Sequence, residues 1–147
     1  MIVLDANILI RAVLGRRVRE LLENYSPQGI RFYAPDVAYA DAAEYLPSLL
    51  ERKGKGETGV GAALDYLRIF VEMVTPESYG LFEDEARQRM QGRDEEDWPV
   101  LASALALACP IWTEDQDFFG TGVATWTTSR IEFFFAAQVK EMRSTEE

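Results

Sequence analysis

Short apolar runs alternate along the chain with longer segments in which apolar residues return every three or four positions. The short runs predict β-strands, and they occupy residues 1–4, 30–34, 68–74, 110–113 and 123–127. The helical spacing predicts helices over residues 6–25 with an interruption near Gly15, and over 36–52, 57–67, 76–92, 93–109 and the tail after 127. Strand and helix alternate throughout, which predicts an α/β domain with a mostly parallel central sheet.

The length and the pattern together indicate one domain. The chain has 147 residues, and we expect a single domain over residues 1–142 with a frayed tail over 143–147. Residues 53–56 predict a flexible surface link. The longest uncharged run is far shorter than the ~18 residues of a membrane span. Since no basic segment precedes the first apolar run, we expect no signal peptide and no membrane contact.

The composition excludes several kinds of catalytic site. The chain has no histidine and a single cysteine, Cys109. Ser-His-Asp catalysis, Cys-His catalysis and a zinc site of Cys and His ligands are therefore excluded within the chain. A disulfide within the chain is excluded as well, which favours a reducing, cytoplasmic location. Any chemistry must rely on carboxylates, hydroxyls, amides, lysine and arginine.

The charge limits the choice of partners. The net charge is −10, from 25 acidic and 15 basic residues. A surface this acidic repels nucleic acid at long range, so nucleic acid would bind only where cations or a partner offset the charge. A dense basic cluster includes Arg11, Arg16 and Arg17. These arginines are candidates to hold a substrate phosphate, and a solvated helix face is the other interpretation of the cluster.

Acidic residues lie at or near the ends of the predicted strands, where open parallel sheets bind ligands. The candidates are Asp5, Asp41, Glu44, Asp94, Asp97, Asp115 and Asp117. Converging carboxylates repel one another strongly unless a divalent cation neutralises them. Oxygen ligands without His or Cys suit Mg²⁺ or Mn²⁺, and such a site supports hydrolysis at phosphorus.

Each of these acids also has a purely structural interpretation. Asp5 and the acids at 94–97 suit the start of a helix. Asp41 and Glu44 suit a solvated helix face, and the acids at 115–117 suit a turn. The metal-site hypothesis depends on four separate acid groups sharing one edge of the predicted sheet.

Three segments of the sequence match motifs of one known family, in the family's order. MIVLDANILI matches the family's apolar strand followed by Asp-x-Asn, at Asp5 and Asn7. DEEDWPVLASALALACPIWTEDQDF matches an Asp that opens a helix rich in small residues, at Asp97, and a Thr-x-Asp after the next strand, at Thr113 and Asp115. A central acid is associated with the segment APDVAYADAAEYL. Together these segments resemble the PIN domain family, in particular a subgroup common in bacteria, including cyanobacteria, and the resemblance covers nearly the whole chain.

The resemblance implies a three-layer α/β/α sandwich and a Mg²⁺- or Mn²⁺-dependent endoribonuclease. Such proteins are often the toxin of a type II toxin–antitoxin pair similar to VapC. Asp5, Asp97 and Asp115 are then catalytic residues and metal ligands. Family spacing favours Asp41 as the remaining ligand, whereas the usual residue type favours Glu44. We prefer Asp41 as the remaining metal ligand and keep Glu44 as the alternative.

Further roles and partners follow from the same resemblance. Asn7 and Thr113 would orient ligands or the attacking water, and Asp94 and Asp117 would support the metal ligands. RNA would be hydrolysed with no covalent enzyme intermediate. The resemblance also implies a homodimer. A toxin role implies an antitoxin that covers the acidic site and places an Arg or Lys in it.

A second class of function stays open. The chain could be a catalytically idle PIN-like protein that binds a partner or regulates. The high negative charge and the aromatic tail at 133–135 favour this alternative. The intact set of acids counts against it.

Overall fold

Five parallel strands form the central sheet. The computed structural model describes residues 1–54 and 59–146. The strands are β1 (Ile2–Leu4), β2 (Phe32–Pro35), β3 (Val71–Val74), β4 (Ile111–Trp112) and β5 (Thr125–Trp126). They lie in the order β3-β2-β1-β4-β5, and the paired strands run parallel. The prediction of a parallel α/β sheet is confirmed.

Helices connect the strands and cover both faces of the sheet. Within the described residues they are α1 (Ala6–Leu14), α2 (Arg17–Tyr25), α3 (Asp36–Arg52), α4 (Val60–Arg68), α5 (Pro76–Tyr79), α6 (Glu83–Arg89), α7 (Trp98–Leu107) and α8 (Ile131–Glu146). Short 3₁₀ turns occupy Gly80–Phe82, Glu95–Asp97 and Gln116–Phe118. The predicted interruption near Gly15 separates α1 from α2.

The strands divide the apolar residues between two cores. Successive side chains of a strand point to opposite faces of a sheet. Ile2 and Leu4 pack on one face with buried residues of α1, α2, α3, α4 and α8. Val3 and Ile111 pack on the other face with buried residues of α5, α6 and α7. The predicted three-layer α/β/α sandwich is therefore confirmed.

Two predicted helices have different boundaries in the structure. The helix predicted over 76–92 is divided by a 3₁₀ turn between α5 and α6. Leu81 in that turn is 86% exposed, so apolar contacts do not hold the segment in one continuous helix. The helix predicted over 93–109 begins as an α-helix only at Trp98, because the acids before it form a 3₁₀ turn and Pro99 suits the first turn.

Some predictions lie at the limits of the described residues. The predicted link over 53–56 and the predicted helix start at Glu57 lie partly outside them, and α4 begins at Val60. Residues 143–146 continue α8, and Glu147 lies outside. The domain limits and the frayed end stay predictions. No helix of the described chain is long and apolar enough to cross a membrane.

Candidate active site

A cavity of about 250 Å³ opens beyond the carboxyl ends of β1 and β4. The chain leaves β1 for β2 on one side, while β4 lies on the other side. This reversal of strand order is where open parallel sheets bind ligands. The cavity, called the acidic cavity below, is lined by Asp5, Ala6, Asn7, Val37, Ala38, Asp41, Glu96, Asp97, Pro99, Val100 and Asp115.

Asp5 is held at the junction of β1 and α1. It caps α1, and its Oδ1 accepts a hydrogen bond from the backbone N–H of Ile8 at 3.0 Å. Its Oδ2 accepts a hydrogen bond from the hydroxyl of Thr113. The residue is only 6% exposed. Burial raises the pKa of the Asp5 carboxyl to about 6, although both hydrogen bonds act in the opposite direction.

Thr113 ties the end of β4 to the end of β1. Its side chain is fully buried. Its Oγ1 donates to Asp5 and accepts the backbone N–H of Asp115 at 2.9 Å. One hydroxyl therefore sets the relative positions of two predicted metal-ligating residues.

Asp115, Asp117 and Asp94 form a chain of capping contacts. Oδ1 of Asp115 accepts the N–H of Asp117 at 2.9 Å, and Oδ2 of Asp117 accepts the N–H of Asp94 at 3.3 Å. Asp94 in turn accepts the N–H of Glu96 at 3.3 Å. Asp94 and Asp117 do not line the acidic cavity but are hydrogen-bonded to residues that do, and their supporting role stays a prediction.

Asp97 is repelled by several other carboxylates at or near the cavity. It lies half-buried at the start of α7 and makes no capping hydrogen bond there. Burial, and after it the charges of Asp94, Asp115, Asp5 and Asp41 in that order, together raise the pKa of the Asp97 carboxyl to about 7. The carboxylates predicted from the sequence therefore lie close enough to repel one another.

The structure distinguishes Asp41 from Glu44. Both side chains are exposed on α3, but Asp41 lines the acidic cavity and Glu44, one turn further along the helix, does not. Burial raises the pKa of Asp41, with smaller contributions from the charges of Glu44 and Glu96. Glu96 also lines the cavity. Nothing in the sequence separates Glu96 from the neighbouring acids of the same turn.

Comparison with known proteins identifies the family. A family model described as "PIN domain" matches residues 3–136. The chain belongs to the PIN domain family. Comparison with curated proteins finds no match.

Solved structures share the fold of this PIN domain. A chain of "Toxin-antitoxin complex from Klebsiella pneumoniae" is 19% identical, with a TM-score of 0.61, and the match covers 87% of this chain and 98% of that one. A chain of "Crystal structure of VapBC2 from Rickettsia felis bound to a DNA fragment from their promoter" is 18% identical, with a TM-score of 0.62, covering 86% and 98%. At these identities the similarity concerns the fold.

Two arginines hold the loop after β4 of the PIN domain against the segment that precedes α7. Nη1 of Arg93 donates to the carbonyls of Asp117, at 2.7 Å, and Phe119. Nη1 of Arg89 donates to the carbonyl of Thr121 at 2.9 Å. Gly122 permits this approach, because its φ is +88° and an added Cβ would lie 2.7 Å from Arg89. The clamp fixes the loop that begins at Asp115 and was not predicted from the sequence.

The arginines predicted to hold a phosphate lie outside the acidic cavity. Arg11, Arg16 and Arg17 line a second cavity of about 380 Å³, called the basic cavity below. Its other lining residues are Leu14, Gly15, Val18, Lys53 and Thr128. Lys53 and Thr128 are distant from these arginines along the chain, so the sequence alone does not group them with the arginines.

The carboxylate oxygens that line the acidic cavity are chemically suited to a hard divalent cation. Asp5, Asp41, Asp97 and Asp115 supply only oxygen, and no basic side chain is among the described residues that line the cavity. Their mutual repulsion would be relieved by a cation. Across residues 1–54 and 59–146, however, no three acidic side chains are already arranged to hold a metal ion. Binding therefore requires side chains to rotate towards a shared point.

Proposed function

We propose that this PIN domain is a divalent-metal-dependent endoribonuclease whose metal ligands are Asp5, Asp41, Asp97 and Asp115. The observation that carries the proposal is that these four aspartates, from four separate segments of the chain, line one cavity at the reversal of strand order. The raised pKa values of Asp5 and Asp97 support it, since perturbed carboxyls in a cleft are typical of functional sites.

The chemistry follows from an oxygen-ligand site. When bound, Mg²⁺ or Mn²⁺ supplies polarisation of a phosphate oxygen and activation of water. Asp5 enters the site in a fixed orientation, because Ile8 and Thr113 hold its two oxygens. Asn7 is exposed at the cavity and can donate its amide N–H to a phosphate oxygen. Ala6 and Ala38 line the cavity with small apolar side chains.

The partners of the enzyme are part of the same proposal. The neighbours of similar fold come from toxin–antitoxin complexes, and we infer that this chain is the toxin of such a pair. An antitoxin segment with an Arg or Lys would complement the acidic cavity. A homodimer and a cytoplasmic location complete the proposal.

Cleavage of a mixed RNA panel tests the nuclease activity. Purified protein without antitoxin is assayed with Mg²⁺, with Mn²⁺ and with EDTA, beside Asp97→Asn and the exposed control Asp84→Asn on α6. We expect metal-dependent cleavage by the unaltered chain and by Asp84→Asn, and a loss of at least about 100-fold in Asp97→Asn. Equal cleavage by both variants would show that Asp97 is not catalytic.

A catalytically idle PIN-like protein is the second candidate function. The observation in its favour is that the described acidic side chains are not prearranged around one metal position. Folded protein that cuts no RNA in the panel with either metal, and that Mn²⁺ does not stabilise against heat, would support this alternative.

A further inference from the structure

The basic cavity is a concentration of positive charge on a strongly acidic protein. Arg11, Arg16, Arg17 and Lys53 come from α1, α2 and the end of α3, and they meet around one opening. No acidic residue is among the described residues that line it. Since the whole chain has a net charge of −10, a group of four cations around one cavity needs an explanation.

Among the described residues, two of the four cations have a carboxylate neighbour and two have none. Arg17 forms an ion pair with Glu132, and Nη1 of Arg11 lies 3.9 Å from Oε1 of Glu114. Within the described part of the chain, Arg16 and Lys53 have no carboxylate within salt-bridge distance. The cavity therefore keeps positive charge that ion pairs leave available for an anion.

Thr128 lines the basic cavity and carries a hydroxyl that can donate a hydrogen bond. Its Oγ1 accepts the indole N–H of Trp112 at 3.0 Å. Because that bond uses an acceptor site of the hydroxyl, the hydroxyl hydrogen remains free to be donated. Leu14 and Val18 supply an apolar wall beside the cations. Guanidinium, ammonium and hydroxyl donors next to an apolar wall suit a phosphodiester with its attached sugar and base.

The basic cavity adjoins the acidic cavity along α1. Asn7 lines the acidic cavity and Arg11 lines the basic one, and residues four apart lie on one face of a helix. Glu114 connects the two regions from the β4 side. It lies close enough to Asp5 to raise the pKa of that carboxyl, and its Oε1 accepts the N–H of Thr128 at 2.7 Å.

We propose that the basic cavity binds the backbone phosphates of the RNA strand on one side of the cut, so that a continuous strand passes over Asn7 and Arg11 into the acidic cavity. The inference rests on the proposed ribonuclease function. It explains how an acidic protein holds a polyanion, because the attraction is confined to one cavity beside the cutting site. Single-stranded RNA is the substrate form that fits, since its backbone can bend from one cavity to the next.

Paired charge removals test the proposed RNA path. Arg16→Gln/Lys53→Gln removes the two cavity cations that have no carboxylate neighbour among the described residues. Arg31→Gln/Lys140→Gln is the matched control, with the same change in net charge. Arg31 precedes β2 at the amino ends of the strands, and Lys140 lies on α8 in a different cavity. Both pairs are made in the unaltered chain and in Asp97→Asn, and thermal unfolding checks that each folds.

Binding of a fluorescein-labelled single-stranded RNA to the Asp97→Asn proteins is measured by anisotropy across a salt series with Mg²⁺. We expect the cavity pair to weaken binding by about tenfold and to reduce the salt slope by about 0.7 for each phosphate that the cavity no longer neutralises. The control pair should change neither value as much. Cleavage by the otherwise unaltered chain should fall with the cavity pair through a higher KM.

The two proposals fail in different ways. If the control pair and the cavity pair bind and cut RNA equally well, the path through the basic cavity is wrong while the nuclease proposal stands. An acidic polypeptide would then be the better ligand for the basic cavity. If no variant binds or cuts RNA, the control pair and the unaltered chain included, both proposals are wrong.

Discussion

The hydroxyl of Thr113 donates a hydrogen bond to Oδ2 of Asp5, although the two residues are 108 positions apart in the sequence. The same oxygen accepts the N–H of Asp115. This buried bridge joins the ends of β1 and β4, the two neighbouring strands between which the chain reverses its order. The orientation of the first acid of the site therefore depends on a residue that is not itself charged.

Replacing Thr113 with Val should damage both the fold and the site. The substitution leaves the N–H of Asp115 and an oxygen of Asp5 without their buried partner, and an unsatisfied buried group costs about 1–3 kcal/mol. We expect the free energy of unfolding in urea to fall by that amount and cleavage to fall with it. Thr113→Ser keeps the hydroxyl and is the control. If Val and Ser variants cleave equally, the hydrogen bond does not position Asp5.

Replacing Asp97 with Asn should stabilise the protein when no metal is bound. The carboxylate of Asp97 is half-buried and is repelled by Asp94, Asp115, Asp5 and Asp41. After allowance for its partial exposure, removing the charge should add about 1 kcal/mol to the free energy of unfolding in EDTA at neutral pH. Asp84→Asn, on an exposed face of α6, should change it by less than about 0.5 kcal/mol. A destabilised Asp97→Asn protein in EDTA would contradict the repulsion.

Asp41 and Glu44 should respond differently to loss of charge. Asp41 lines the acidic cavity, and Glu44, one helical turn away, does not. We expect Asp41→Asn to abolish the stabilisation by Mn²⁺ seen in thermal unfolding and to reduce cleavage by about 100-fold or more. Glu44→Gln should retain most of both, because it only removes a like charge near Asp41. The reverse order would make Glu44 the ligand.

The apolar pattern of the sequence was sufficient to predict a mostly parallel α/β sheet, and the resemblance to the PIN domain family implied its three layers. Runs such as residues 1–4 are apolar on both faces because β1 is covered on both sides, and this pattern is typical of a central parallel strand. The division of the predicted helix over 76–92 was not predictable from periodicity. Its break depends on whether other segments cover the apolar side chain of Leu81, which no local pattern records.

The sequence predicted that the acids would lie together and that Thr113 would orient them, but it did not predict the arginine clamp on the neighbouring loop. Asp5, Asp97 and Asp115 follow strands or begin a helix, so their positions follow from topology. The clamp from Arg93 to the loop after β4 uses backbone carbonyls, and any residue has a carbonyl. The identity of the accepting residues therefore does not indicate such a contact.

Weakening the Arg93 clamp should loosen the loop that follows Asp115. Arg93 donates to the carbonyls of Asp117 and Phe119, so Arg93→Gln removes a forked, charged donor from two acceptors. We expect faster amide hydrogen exchange in residues 116–122 and weaker stabilisation by Mn²⁺. Arg143→Gln at the end of α8 is a control of equal charge. Unchanged exchange in the loop would show that Gly122 and its neighbours hold their conformation without Arg93.

The stability of the metal-free protein should fall as the pH rises from about 4 to about 7. The pKa of Asp5 is raised to about 6 and that of Asp97 to about 7, from an ordinary value of 3.8. In this range the folded chain binds more protons than the unfolded chain, so the free energy of unfolding decreases with pH.

Urea unfolding in EDTA at several pH values measures the slope. Asp97→Asn should flatten it, because one of the two carboxyls no longer titrates. Saturating Mg²⁺ should flatten it as well, since the cation favours the ionised carboxylates that repulsion otherwise destabilises. A free energy of unfolding that increases across this range in EDTA, equally in the unaltered chain and in Asp97→Asn, would mean that the acidic cavity does not strain the fold.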